Sequence, residues 1–173
     1  MRIFSIRQEK GSLGRLEMDG FTAPCSLGRS GVIPAADKRE GDGATPLGDY
    51  PCRWLYYRAD RMQRPQCALP VFALSPNDGW CDAPDDPHYN QPVRLPYDAS
   101  AEALWREDAV YDLILVIGHN DDPPVSPLGS AIFVHVRREG GEPTEGCAAF
   151  AKGDLLRVLA EIQPGDVLRF EAA

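Results

Sequence analysis

The chain has 173 residues, 43% of them hydrophobic and 25% charged, an ordinary composition for a globular protein with a core of its own. Its 26 acids against 18 bases give a formal charge of −8, which argues against nucleic acid and against a polybasic membrane contact, since an acidic surface repels phosphate. No run approaches the ~20 consecutive apolar residues of a membrane-spanning helix, so no integral membrane contact is expected.

The whole of 1–173 reads as a single domain, without repeats, low-complexity tracts or a linker. Arg2–Arg7 and Leu13–Met18 read as the first two strands, with a turn at Lys10-Gly11. Ile3 and Ile6 are interrupted and then followed at once by charges, which is not the apolar run of a secretory signal. This predicts a cytoplasmic chain, or a periplasmic one if a leader once preceded Met1. A loop-rich stretch runs from Gly28 to Gly48, Tyr50–Tyr57 reads as a strand, and 58–98 as an ordered excursion with short strands.

Ser100–Asp108 opens on a good N-cap residue with an early Glu, which predicts a helix. The near-continuous apolar run Tyr111–Gly118 predicts a central strand, and Ala131–Arg137 a second strong one. Asp154 is expected to cap a helix over Leu155–Ile162, ended by Pro164-Gly165, and Val167–Glu171 is the last strand. The expected class is mostly β with two packed helices.

The five cysteines are odd in number and widely spaced, without a CxxC pair. They read as reduced thiols, and neither a disulfide framework nor a metal site nor a cofactor is expected. The stretch Trp80–Asn90 holds Cys81, Asp82, Asp85, Asp86 and His88, but lacks metal-ligand spacing and is expected to form one wall of a cleft.

In Ala131–Arg137, Ile132, Val134 and Val136 share one strand face and His135 lies on the other. A hairpin loop turning at Gly140-Gly141 is expected to bring Cys147 within hydrogen-bonding reach of His135. A free thiol has a pKa of ~8.5 and needs a neighbouring base or cation to act as a nucleophile near neutrality. Gly146 permits a tight turn, and its N–H and that of Cys147 are expected to converge on a developing oxyanion. Taken singly, His135 reads as a satisfied core histidine and Cys147 as a small buried hydrophobe; the intervening glycine favours the pair. His119 ends the central strand, where sites tend to form, and Tyr111 and Ser130 are expected to line the same site.

A strand carrying His135, a short loop and then Thr144-x-Gly146-Cys147 resembles the L,D-transpeptidase (YkuD) family, whose signature ends in Ser/Thr-His-Gly-Cys. Asp42–Tyr50, DGATPLGDY, resembles the Thr-Pro-x-Gly segment of the same family. The resemblance runs from about Leu27 to Phe170 and is to the compact bacterial kind that consists of the catalytic domain alone. It implies a β-sandwich or barrel catalytic domain and acyl transfer on peptidoglycan stem peptides, with no cofactor. The thiolate would attack the carbonyl of an L-centre, usually diaminopimelate, and expel D-alanine. An amine then takes the thioester in cross-linking, or water in carboxypeptidase action. The resemblance also implies a histidine oriented by a backbone carbonyl.

There are two departures from the family pattern. Glu145 stands where the signature has His, and Ala149 where the family has an Arg thought to hold a substrate carboxylate. Thr144 and Glu145 become substrate-binding candidates, Glu145 through a substrate ammonium. Lys38, Arg39, Arg29 and Arg61 are candidates for the missing cation. The favoured expectation is an L,D-carboxypeptidase trimming soluble muropeptides from tetrapeptide to tripeptide. The alternatives are a periplasmic cross-linking transpeptidase and a muropeptide-binding module without catalysis.

Overall fold

A computed structural model describes residues 1–173. The first strands are β1 (Ile3–Lys10), β2 (Leu13–Met18) and β3 (Phe21–Ser26), then the short β4 (Val32–Pro34) and the long β5 (Thr45–Tyr57). Next come β6 (Val71–Ala73), β7 (Asp78–Cys81), β8 (Pro92–Arg94) and β9 (Ala101–Ala103). The chain closes with β10 (Leu113–Ile117), β11 (Phe133–Val136), β12 (Ala148–Phe150), α1 (Lys152–Glu161) and β13 (Val167–Glu171).

The strands pair in the order β10-β11-β12-β3-β2-β1-β13-β5, and β5 pairs back onto β10, so the sheet closes into a barrel. Closure removes the unpaired edges that an open sheet would expose. β5 makes it possible by its length: Gly48–Pro51 pair with β13, and Cys52–Tyr57 pair with β10. Alternation along each strand fills the interior. Ile6, Leu16, Leu55, Leu113, Leu115, Val134, Phe150 and Phe170 belong to one buried core, to which α1 adds Leu155, Val158 and Leu159.

A second layer covers the outer face of β10 and β11. Ile114, Val116 and Phe133 point away from the barrel interior, into a separate buried cluster with Trp80, Leu104 and Tyr111. The cover is the antiparallel sheet β8-β7-β9, whose Trp80 meets the Phe133 ring edge-on at 4.9 Å between centroids. Both faces of β10 are therefore buried, as its unbroken apolar run requires.

Three expectations are corrected here. Ser100–Asp108 is not a helix: Ala101–Ala103 pair with β7 as β9, and Arg106 and Asp108 close a tight turn through two hydrogen bonds. The open edge of β7 outweighs the weak helix preference of a few residues. The fold thus has one α-helix, and Ala151 stands at its N-cap position while Asp154 lies in the first turn, where its charge favours the helix dipole. Finally, β11 and β12 run parallel, so residues 137–147 form a crossover and not a hairpin.

No helix is long and apolar enough to cross a membrane. All five cysteines are free thiols, and no group of His, Cys, Asp or Glu is arranged to hold a metal ion.

Candidate active site

The parallel register pairs Val134 with Ala148 and His135 with Ala149. Cys147, one residue before β12, therefore falls on the same outer sheet face as Phe133 and His135. Both side chains line one cavity of about 520 Å³, bounded by β11, the crossover, the Lys38–Gly41 loop and the small sheet. That volume is within the usual range for a small-ligand site.

The loop that carries Cys147 is held by Thr144. Its Oγ1 accepts the Gly146 N–H at 3.0 Å and donates to the Cys147 carbonyl at 2.7 Å, which fixes the turn between them. Gly146 sits at φ +138°, and a Cβ there would lie 2.9 Å from the Ala44 carbonyl oxygen, so only glycine fits. Thr45 supports the same loop from behind: its Oγ1 accepts the Gly28 N–H at 2.9 Å and donates to the Cys147 carbonyl at 3.5 Å. The DGATPLGDY segment and the Thr-x-Gly-Cys block are thus two halves of one support.

The Cys147 sulfur accepts the Phe133 N–H at 3.3 Å, and its S–H donates to the Ala131 carbonyl at 3.2 Å. Burial pushes its pKa up to about 12, with Glu102 adding to the rise and the Phe133 N–H opposing it. His135 is buried; its Nδ1 lies 2.9 Å from the Val136 carbonyl, which can only accept, so Nδ1 carries the proton and Nε2 is left as the basic nitrogen. Burial, with smaller contributions from Arg106 and Arg138, lowers the His135 pKa to about 4 against the opposing hydrogen bond to Val136. The Tyr111 ring packs edge-on against the imidazole at 5.3 Å.

Two geometric expectations are corrected. No hydrogen bond joins Cys147 to His135; the thiol is engaged by the backbone of residues 131 and 133 because the register sets it beside Phe133. The Gly146 N–H is taken by Thr144, which leaves the Cys147 N–H as the free backbone donor of the turn.

Of the other sequence candidates, Thr144, Glu145, Tyr111 and Ser130 line the cavity. Glu145 points outward into an ion pair with Arg29 at 2.9 Å. His119 and Arg61 are not brought there. His119 is buried between Tyr50 and the Leu128 carbonyl, and lines a smaller cavity with Trp54 and Trp80. Arg61 ties Asp112 to the carbonyls of Glu107 and Asp108, a structural brace. Lys38 does line the cavity, although its ammonium is paired with Asp42.

Sequence reasoning missed Glu40, Glu102, Arg106 and Arg138, which also line it. Glu102 and Arg106 were hidden by the expected helix. Read as a strand, 101–103 would have paired with the Trp80 strand and carried Glu102 to this wall.

A family model described as the YkuD L,D-transpeptidase catalytic domain matches residues 10–169. No curated protein and no solved structure matches the chain. A match over nearly the whole length, on a closed β fold that seats the Thr-x-Gly-Cys block in a cavity, shows that this chain belongs to the L,D-transpeptidase (YkuD) family, whose enzymes act on peptidoglycan.

Proposed function

We propose that the protein is an L,D-carboxypeptidase, with Cys147 as nucleophile and His135 as general base, that trims muropeptide tetrapeptides to tripeptides. The observation that carries the reading is the placement of the Cys147 sulfur and the His135 ring on one wall of a single cavity, above a loop locked by Thr144.

The chemistry follows from the protonation states. A thiol near 12 and an imidazole near 4 both rest neutral at pH 7, so no preformed thiolate is available. Attack is then concerted: Sγ bonds to the carbonyl carbon of the L-centre as its proton passes to His135 Nε2. The Val136 carbonyl stabilises the imidazolium through Nδ1–H. The oxyanion forms against the free Cys147 N–H. Collapse of the tetrahedral intermediate returns the proton to the leaving nitrogen and releases D-alanine. His135 Nε2 then takes a proton from water, whose oxygen attacks the thioester carbonyl, and passes that proton to the departing sulfur, which regenerates the thiol.

Hydrolysis is the favoured outcome because Cys147 opens onto a cavity of about 520 Å³, in the range of a small-ligand site, where water is the acceptor at hand. The test is incubation of purified disaccharide-tetrapeptide with the protein and mass analysis of the products. Tripeptide and free D-alanine are expected; dimers or exchanged D-amino acids in excess of tripeptide would restore the transpeptidase.

The engagement of the thiol by the Ala131 carbonyl favours a second reading, a muropeptide-binding module. Binding of tetrapeptide without any product would establish it.

A further inference from the structure

Five carboxylates line the cavity that holds Cys147; Glu145 is paired with Arg29, whereas Glu40, Asp82, Glu102 and Glu142 make no ion pair. Of the cations lining it, Lys38 is committed to Asp42 and Arg106 to Asp108, while Arg138 is exposed and makes no ion pair. Trp80 pairs with Glu102 across β7 and β9, and the Asp82 N–H donates to the Ser100 carbonyl at 3.2 Å, so Asp82 and Glu102 project from the same face of the small sheet.

These acids lack the partners that burial demands. Glu102 is satisfied only by the Tyr111 hydroxyl, at 2.6 Å, and its pKa is raised chiefly by burial. Asp82 Oδ1 is buried with no hydrogen-bond partner. Ser130, lining the same cavity, is 7% exposed and its hydroxyl has no partner either. Desolvated acceptors in this state are costly unless a donor of opposite charge arrives. The same negative wall hinders the nucleophile, since Glu102 raises the Cys147 pKa beyond what burial alone does.

We propose that Asp82, Glu102 and Ser130 form a cation subsite that takes the primary ammonium on the side chain of the donor residue whose carbonyl Cys147 attacks. This rests on the proposed acyl transfer and adds how the donor is chosen. An ammonium here gives Asp82 Oδ1 and the Ser130 hydroxyl their missing donors and cancels the field that opposes ionisation of the thiol. The enzyme thereby gains reactivity only when a cationic donor is seated.

A thiol-labelling experiment tests the subsite without relying on peptidoglycan. Methanethiosulfonates carrying a 2-aminoethyl, a methyl or a 2-sulfonatoethyl group are reacted at pH 7 with the whole protein. The Cys147 sulfur bonds to the sulfenyl sulfur, methanesulfinate leaves and the proton goes to solvent; peptide mapping separates Cys147 from the half-buried Cys67. The cationic reagent is expected to react at least about tenfold faster than the anionic one, and Glu102→Gln, which keeps an acceptor for Tyr111, is expected to remove most of that ratio. Asp82→Asn serves as an independent second variant and is expected to lower it as well. Equal rates in the wild type, or a ratio unchanged in both variants, overturns the subsite.

A tetrapeptide acetylated on that side-chain amine forms the second arm. Its kcat/KM is expected to fall about tenfold in the wild type and to change little in Glu102→Gln. If muropeptides are turned over but the labelling ratio is flat, the subsite alone falls. If the ratio holds but no muropeptide reacts, the carboxypeptidase reading falls and the cation preference stands.

Discussion

Cys147, His135 and Thr144 differ in what they contribute, and substitution separates them. Cys147→Ala removes the sulfur but little volume, so it is expected to abolish turnover while the thermal midpoint moves by only a few degrees; activity assay and calorimetry together check this. Thr144→Val keeps the shape and deletes both the acceptor for Gly146 N–H and the donor to the Cys147 carbonyl. Leaving a buried N–H unsatisfied is expected to cost about 1–3 kcal/mol, read as a lowered denaturation midpoint, with a larger proportional loss of kcat because the nucleophile turn loosens. In the proposed mechanism His135 acts as the base in its neutral form, and burial holds its pKa at about 4. The profile of kcat/KM against pH is therefore expected to stay flat on acidification past 6.5 and to fall only near 4; an acid limb near 6.5 would assign the base to a solvated histidine.

At the scale of elements, the small sheet β8-β7-β9 makes the difference between a bare barrel face and an enclosed site. Trp80 bridges the two, packing on Phe133 beside the thiol. Trp80→Ala is expected to cost about 3–5 kcal/mol by the cavity it leaves and to open the site to water, with stability followed by chemical denaturation and activity by tripeptide release. Much of this architecture was legible in the sequence where patterning is strong. The apolar run of β10 marks a buried central strand, and the alternation of Val134, His135 and Val136 sets His135 on the face opposite its neighbours. β3 escaped because Pro24 interrupts its pattern, which its place against β2 tolerates. β9 escaped because three residues carry no period, and what makes them a strand is the edge of β7, distant in the chain. The parallel sense of β11 and β12 was hidden for a similar reason. Gly140-Gly141 marks a turn, and only the parallel register of β12 on β11 shows that the chain crosses over before it re-enters the sheet. Of the site itself, the Thr-x-Gly-Cys block carried a local signal, whereas Glu102 and Asp82 converge on the cavity only through tertiary pairing.

The whole molecule buries its titratable groups in a way that sets its stability against pH. His119 and His135 both fall from 6.5 to about 4, chiefly by burial, so the unfolded chain takes up protons first as the pH drops. Their stabilising effect is complete above pH 6.5 and is lost as the pH falls from there to 4, at about 3 kcal/mol apiece. On the alkaline side Cys25, Cys52 and Cys147 rise from 9.0 to about 12 by burial, so stability falls again as the pH passes 9, where the unfolded thiols ionise. Denaturation midpoints across pH 4–10 are expected to trace a plateau between these limits. The central claim is that Cys147 carries the acyl group, and intact-protein mass spectrometry during turnover of disaccharide-tetrapeptide tests it most directly. A single adduct that raises the protein mass by that of the muropeptide minus D-alanine, mapped to Cys147 and absent in Cys147→Ala, is the predicted result. Tripeptide formation that persists in Cys147→Ala, or an adduct mapped to another cysteine, would contradict it.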